Sequence, residues 1–176
     1  MQELWKLLCD WDEPITGKLK SAWETWVAGA QKVSAVRIPR QYNCDPRTVV
    51  EWQLHIFCDA SEAAFGCVAY IRFSYKGGGH SCSFVMSKSR LAPIKRITLP
   101  RLELNAARAG ARLAKLVVHE IDLPIGRICY WSDSTITLQY IYNDKNRLRV
   151  FEGNRVSEVL ETSAVRIKMM FSAHLS

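Results

Sequence analysis

The spacing of apolar positions divides the chain into strand-like and helix-like stretches. From Gln53 to Asp59, the apolar Leu54, Ile56 and Cys58 alternate with His55, Phe57 and Asp59. A period of two suits a strand that is apolar on both faces. The run ends on an acid, Asp59, and small residues follow it (Ala60, Ser61, Ala63, Ala64, Gly66). Phe65–Tyr75 and Ser81–Ser87, rich in Val, Ile, Tyr and Phe, predict the next two strands, joined at Lys76-Gly77-Gly78-Gly79. That glycine run neither opens a helix nor fits a Walker pattern, so it reads as a turn.

Helical spacing takes over at Pro100, a residue suited to the first turn of a helix, and continues to about Glu120. Glu103, Ala107, Gly110 and Ala114 form a row of small residues leading from an acid, which would let the helix lie close to a sheet. Gly110 weakens the helix by ~1 kcal/mol relative to Ala, and close packing is sufficient reason to keep it. Pro124 and Gly126 end the helix, and Arg127–Trp131 predicts a fourth strand. Asp133 or Ser134 then caps a helix over Thr135–Tyr142. Phe151–Ser163 predicts another helix, with Val156, Val159 and Leu160 on one face. Val165, Ile167, Met169 and Phe171 alternate with Arg166 and Lys168, which predicts a fifth strand. The expected architecture is α/β, a mixed sheet of about five strands flanked by helices.

Residues 1–50 have a different character. Four of the six tryptophans (Trp5, Trp11, Trp23, Trp26) lie in the first 26 residues. Leu19, Trp23, Trp26, Val27 and Ala30 follow helical spacing, predicting a helix from about Thr16 to Ala30 whose aromatic stripe needs a partner surface. Val36–Pro46, with two prolines, reads as a linker. The expected organisation is a helical appendage and linker over 1–50 and one domain over 51–176. A chain of 176 residues has enough interior for a sizeable core.

No stretch approaches the ~20 apolar residues that span a bilayer. The N-terminus lacks the basic and apolar regions of a signal peptide, so the expectation is a soluble intracellular protein with no membrane partner. Six cysteines without a C-x-x-C pair are expected as free thiols, with Cys58, Cys67, Cys82 and Cys129 packed as small hydrophobes in strand-like runs. The four histidines have no zinc spacing.

The formal charge of +7 is unevenly placed. Between Glu62 and Glu103 there are seven bases and no acid: Arg72, Lys76, Lys88, Arg90, Lys95, Arg96 and Arg101. A solvated positive face is one reading, and a nucleic-acid surface is the other.

Three acids sit at element ends: Asp59 after a strand, Glu103 just inside a helix, and Asp133 after a strand. Each has an ordinary reading, as a turn residue, a helix-dipole partner and a helix cap respectively. Together, in the order strand, hairpin, helix, strand, they can form a cluster that holds two divalent ions for phosphodiester hydrolysis.

FCDASEAAFGCVAYI, LPRLELNAA and YWSDSTITLQYI together resemble the ribonuclease H domain of retroelement polyproteins, most closely BEL/Pao-type retrotransposons, over roughly residues 50–163. The resemblance implies a ribonuclease H fold and hydrolysis of the RNA strand of an RNA–DNA hybrid. It implies Asp59, Glu103 and Asp133 as ligands of two Mg²⁺ ions, with Mn²⁺ as an alternative. It also implies nucleic-acid contacts at Ser61, Lys88, Arg90, Lys95, Arg96 and Arg101. The N-terminal segment is then expected to be the tail of a preceding reverse transcriptase, the other implied partner. No Tyr-x-Asp-Asp is present, so the chain is not itself a reverse transcriptase.

In that family a fourth carboxylate follows the fifth strand. Here VRIKMMFSAHLS carries no acid, and His174 is the one titratable group near its end. Weak hydrolysis is therefore expected, and a non-catalytic binding module of the same fold is the rival reading. A strand transferase of the integrase type is disfavoured by the placement of the Glu on the first helix.

Overall fold

A computed structural model describes residues 2–42, 47–143, 148–162 and 167–170. The chain divides into two compact units, Met1–Gln41 and Tyr42–Ser176.

The first unit is helical: α1 (Gln2–Lys6), α2 (Gly17–Gln31) and a 3-10 turn (Lys32–Ala35). α2 begins at Gly17, one residue from the expected Thr16, which holds the N-cap position without a side-chain capping bond, and α2 buries none of its residues. Trp23 and Trp26 stack on each other at 5.2 Å, the contact that their i, i+3 spacing allows. Trp5 meets Trp11 edge to face at 6.0 Å.

In the second unit β1 (Val49–Ala60), β2 (Ala64–Tyr75), β3 (His80–Leu91), β4 (Arg127–Trp131) and β5 (Ile167–Met170) form one sheet in the order β3-β2-β1-β4-β5. β1–β2 and β2–β3 are antiparallel, whereas β1–β4 and β4–β5 are parallel. α3 (Leu99–Glu120), α4 (Thr135–Ile141) and α5 (Val150–Thr162) complete it. This is the mixed α/β sheet expected of a ribonuclease H-like fold. The expected positions of Val165, Phe171 and His174, and of Pro46, lie outside the described residues.

Two strands run longer than their apolar patterns. β1 begins at Val49 rather than Gln53, and β3 continues to Leu91 rather than Ser87. The added β3 residues are polar, but their backbones still pair with β2 (Cys67 with Lys88, Gly66 with Ser89, Phe65 with Arg90). An edge strand has one neighbour and a solvated face, so pairing persists after the hydrophobic pattern stops. The β2–β3 turn places Gly78 at φ 84° and Gly79 at φ 81°, the left-handed region that glycine reaches without strain.

The core lies between the sheet and the helices. Leu54, Ile56, Ala69, Ile71 and Phe73 are fully buried against α3, which supplies Leu104, Leu113 and Ala114. α3 approaches β1 closely because Gly110 has no side chain: a Cβ there would collide with Cys58 Sγ and lie 3.0 Å from Ile56 Cγ2. α5 buries Val156 and Val159, while Leu160, expected on that face, is exposed and Glu152 is buried instead. Cys58, Cys67 and Cys129 are buried and outside any disulfide, whereas Cys82 is exposed, against expectation, because it lies on the edge strand.

Candidate metal and nucleic-acid site

Asp59 and Asp133 come together through strand register. β1 and β4 are adjacent and parallel, with Phe57 opposite Trp131. Each acid lies two residues beyond that pair, so both project at the same end of the sheet. Both are exposed and line one open cleft of about 620 Å³, together with Ser61, Lys88 and the Phe57–Trp131 pair. The two rings stack at 5.6 Å and 9°. Asp59 Oδ1 accepts from the Ala60 N–H at 2.7 Å.

Glu103 reaches the same end of the sheet from α3. It is the fifth residue of that helix, beyond the first turn where the helix dipole would account for an acid. Its Oε2 accepts a hydrogen bond from Ser134 Oγ. Ser134 is the cap of α4: its Oγ also accepts from Thr137 N–H at 3.1 Å. The capping alternative for Asp133 is thereby answered. Ser134 fills that role and, as the chain neighbour of Asp133, also donates to Glu103. Glu103 does not line the cleft, and among the described residues no three His, Cys, Asp or Glu side chains are grouped closely enough to hold an ion as placed. The donor set itself, oxygen only and unpaired with any base among the described residues, is of the type that suits a hard divalent cation.

On the far face of the sheet from α3, Trp131 Nε1 donates to His55 Nδ1 at 2.9 Å. His55 Nε2 meets Gln53 Oε1 at 3.1 Å, which also accepts from Arg72. Burial, and then the Arg72 charge, lower the His55 pKa, so the neutral ring is favoured as acceptor. This chain fixes the plane of Trp131 beside the cleft. Periodicity marked His55, Phe57 and Trp131 only as strand residues, because a hydrogen bond spanning 76 positions has no local signal.

The bases implicated by sequence separate into distinct settings. Lys88 lines the acidic cleft and a second groove, and Arg90 lines that groove. Lys95 is exposed. Arg96 pairs with Glu62 at 3.0 Å on the surface. Arg101 Nε donates to the buried Glu152 at 2.8 Å and its guanidinium lies 4.6 Å from the Phe151 ring, so it joins α3 to α5. Ser61 Oγ accepts from Ala63 and Ala64 N–H and donates to Ala64 O, shaping the β1–β2 turn. Glu158, an acid of α5, is held by Arg108 at 2.5 Å and by Arg112.

The foamy viral protease–reverse transcriptase in complex with dsDNA is similar in structure, at a TM-score of 0.52 and 16% identity over 99% of this chain and 33% of that one. The same viral protein in complex with an RNA/DNA hybrid gives 0.50 and 17%, over 99% and 22%. RNase H1 from the halophilic archaeon Halobacterium salinarum NRC-1 gives 0.43 and 13%, over 68% and 86%. No curated protein sequence matches. No helix among the described residues is long and apolar enough to cross a membrane. A family model described as the Pao retrotransposon-like RNaseH-like domain matches residues 1–134, a span that contains the N-terminal helices and all three acids. The chain belongs to the Pao retrotransposon-like RNaseH-like domain family.

Proposed function

We propose that this domain hydrolyses the RNA strand of an RNA–DNA hybrid, with Asp59, Glu103 and Asp133 holding two Mg²⁺ ions or, alternatively, Mn²⁺. The observation that carries the reading is the paired register of Asp59 and Asp133 at one end of β1 and β4, with Glu103 linked through Ser134. Divalent ions in such a site supply an activated water and neutralise charge on the phosphoryl group. Asp59 and Asp133 supply the negative charge on one wall of the cleft. Ser134 orients Glu103 toward the same end of the sheet. Lys88, on the other wall, offers a point charge to phosphate.

The neighbouring viral protein was captured on an RNA/DNA hybrid, which supports that substrate class. We read residues 1–50 as belonging with a reverse transcriptase of the same polyprotein and 51–176 as the nuclease domain. Trp5, Trp11, Trp23 and Trp26, which leave 49–86% of their surfaces uncovered, support a partner surface for the first of these segments.

A second reading, a non-catalytic nucleic-acid-binding module, is favoured by one observation: Glu103 is engaged by Ser134 and the three acids do not close into a metal-holding group. Labelled RNA–DNA hybrid, double-stranded DNA and double-stranded RNA of one sequence, each incubated with Mg²⁺, separate the two. Cutting of the hybrid RNA alone supports the nuclease. Binding of the hybrid without any cutting supports the module.

A further inference from the structure

The open groove between the edge strand β3 and helix α3 adjoins the three-acid cleft but contains none of its acids. It encloses about 190 Å³. Lys88 and Arg90 line one wall, two positions apart on β3 and therefore on one face of the strand. Arg108 and Arg112 line the other, four apart on α3 and therefore one turn above each other. Phe65 and Asn105 also line it. Two rows of cations thus face one another across a trough.

The positive charge here is only partly compensated. Glu158 takes one Nε–H from each of Arg108 and Arg112, and a guanidinium carries five donors. Arg155 donates to Asn105 Oδ1 at 2.6 Å, so what the Asn105 amide has left to offer an incoming group is its N–H donors. Among the described residues neither Lys88 nor Arg90 makes an ion pair. Burial, and then the Arg108 charge, lower the Arg155 pKa, while Glu152 and Glu158 oppose the shift.

The groove is also continuous with the acidic cleft: Phe65, Lys88 and Ser89 line both. We infer that this groove binds the phosphodiester backbone of a nucleic-acid strand whose neighbouring phosphate lies at Asp59 and Asp133. An acidic peptide would match the charge equally well, but continuity with the acid-bearing cleft favours a repeating phosphate chain that enters both. Arg108 and Arg112 thereby become binding residues as well as partners of Glu158. The inference rests on the nucleic-acid reading of the cleft, and adds to it where the strand runs.

The test is fluorescence anisotropy of the full chain with a labelled RNA–DNA hybrid, titrated at several salt concentrations. The proteins compared are the parent, Asp59→Asn, Arg108→Gln and the double variant Lys88→Ala/Arg90→Ala. The double variant should keep its thermal midpoint, because both side chains are exposed. It should lose about 2 from the log–log salt slope, and Arg108→Gln about 1, one per phosphate contact. Asp59→Asn should keep the parent slope. An unchanged slope in the double variant overturns the groove, as does a polyglutamate peptide competing as well as the hybrid. In a parallel cleavage assay with Mg²⁺, absence of cutting by every protein, the parent included, with the slope changes intact, would count against the nuclease alone and leave the groove standing.

Discussion

At the level of single residues, the site depends on Ser134 as much as on the acids. One hydroxyl caps α4 and holds Glu103. Sequence offered Asp133 and Ser134 as equal candidates for the cap, since both residue types fill that position well. Backbone geometry separated them, and so freed Asp133 for the cleft. Ser134→Ala should therefore cost about 1 kcal/mol of stability through the lost cap. It should also reduce hybrid cutting more than a cap-preserving Ser134→Thr does, as measured by paired melting and cleavage assays. Gly110 was legible as a close-packing residue, and the collision of a Cβ with Cys58 Sγ supplies the reason. Gly110→Ala should destabilise by about 1–3 kcal/mol from overpacking. Cys58→Ala in the same chain should recover part of that loss in thermal denaturation, because it removes the colliding atom.

Among the elements, the strands β1 to β4 and the helices α3 and α5 were readable because burial imposes a period on each. What could not be read were contacts between α3 and α5, made by residues about 50 positions apart. Arg101 with Glu152 and Arg108 with Glu158 look, in sequence, like ordinary solvated charges. Burial, the largest single cause, pushes the Glu152 carboxyl up, but the Arg101 hydrogen bond, a backbone N–H bond and the Arg101 and Arg149 charges together outweigh it, and the net pKa lies below the ordinary carboxylate value. A carboxyl depressed on folding contributes stability above its unfolded pKa of about 4.3. That contribution is lost as pH falls through the lower folded value. Glu152→Gln should lower stability by on the order of 1 kcal/mol near neutrality. It should also flatten the fall in melting temperature below about pH 4.3, as followed by melting curves across that range.

For the molecule as a whole, the fold and family were legible because three short motifs kept their order and spacing around the central strand β1. The N-terminal unit was less so. Helical spacing located α2, yet the stripe expected to be covered leaves Trp23 and Trp26 about half or more exposed. Local periodicity reports which residues share a face, not what meets it. Charge is the property that acts at this scale. The excess of bases between Glu62 and Glu103 should make hybrid affinity fall steeply with salt, by ~0.7–0.9 log units per phosphate contact for each log unit of salt. Reversing Lys95 and Arg96 to Glu should weaken binding more than reversing Lys18 and Lys20. The surface pair of Arg96 with Glu62 holds that side chain only weakly. Equal losses in the two variants would show that the N-terminal unit shares the nucleic-acid surface.

The most direct measurement is a single-turnover cleavage series on one RNA–DNA hybrid, with Mg²⁺, with Mn²⁺ and with chelator. The parent chain is compared with Asp59→Asn, Glu103→Gln and Asp133→Asn. The account predicts metal-dependent cutting of the RNA strand by the parent, and its loss to background in each of the three variants while hybrid binding persists. Cutting that survives all three substitutions, or a parent that binds the hybrid and never cuts it with either metal, would contradict the account.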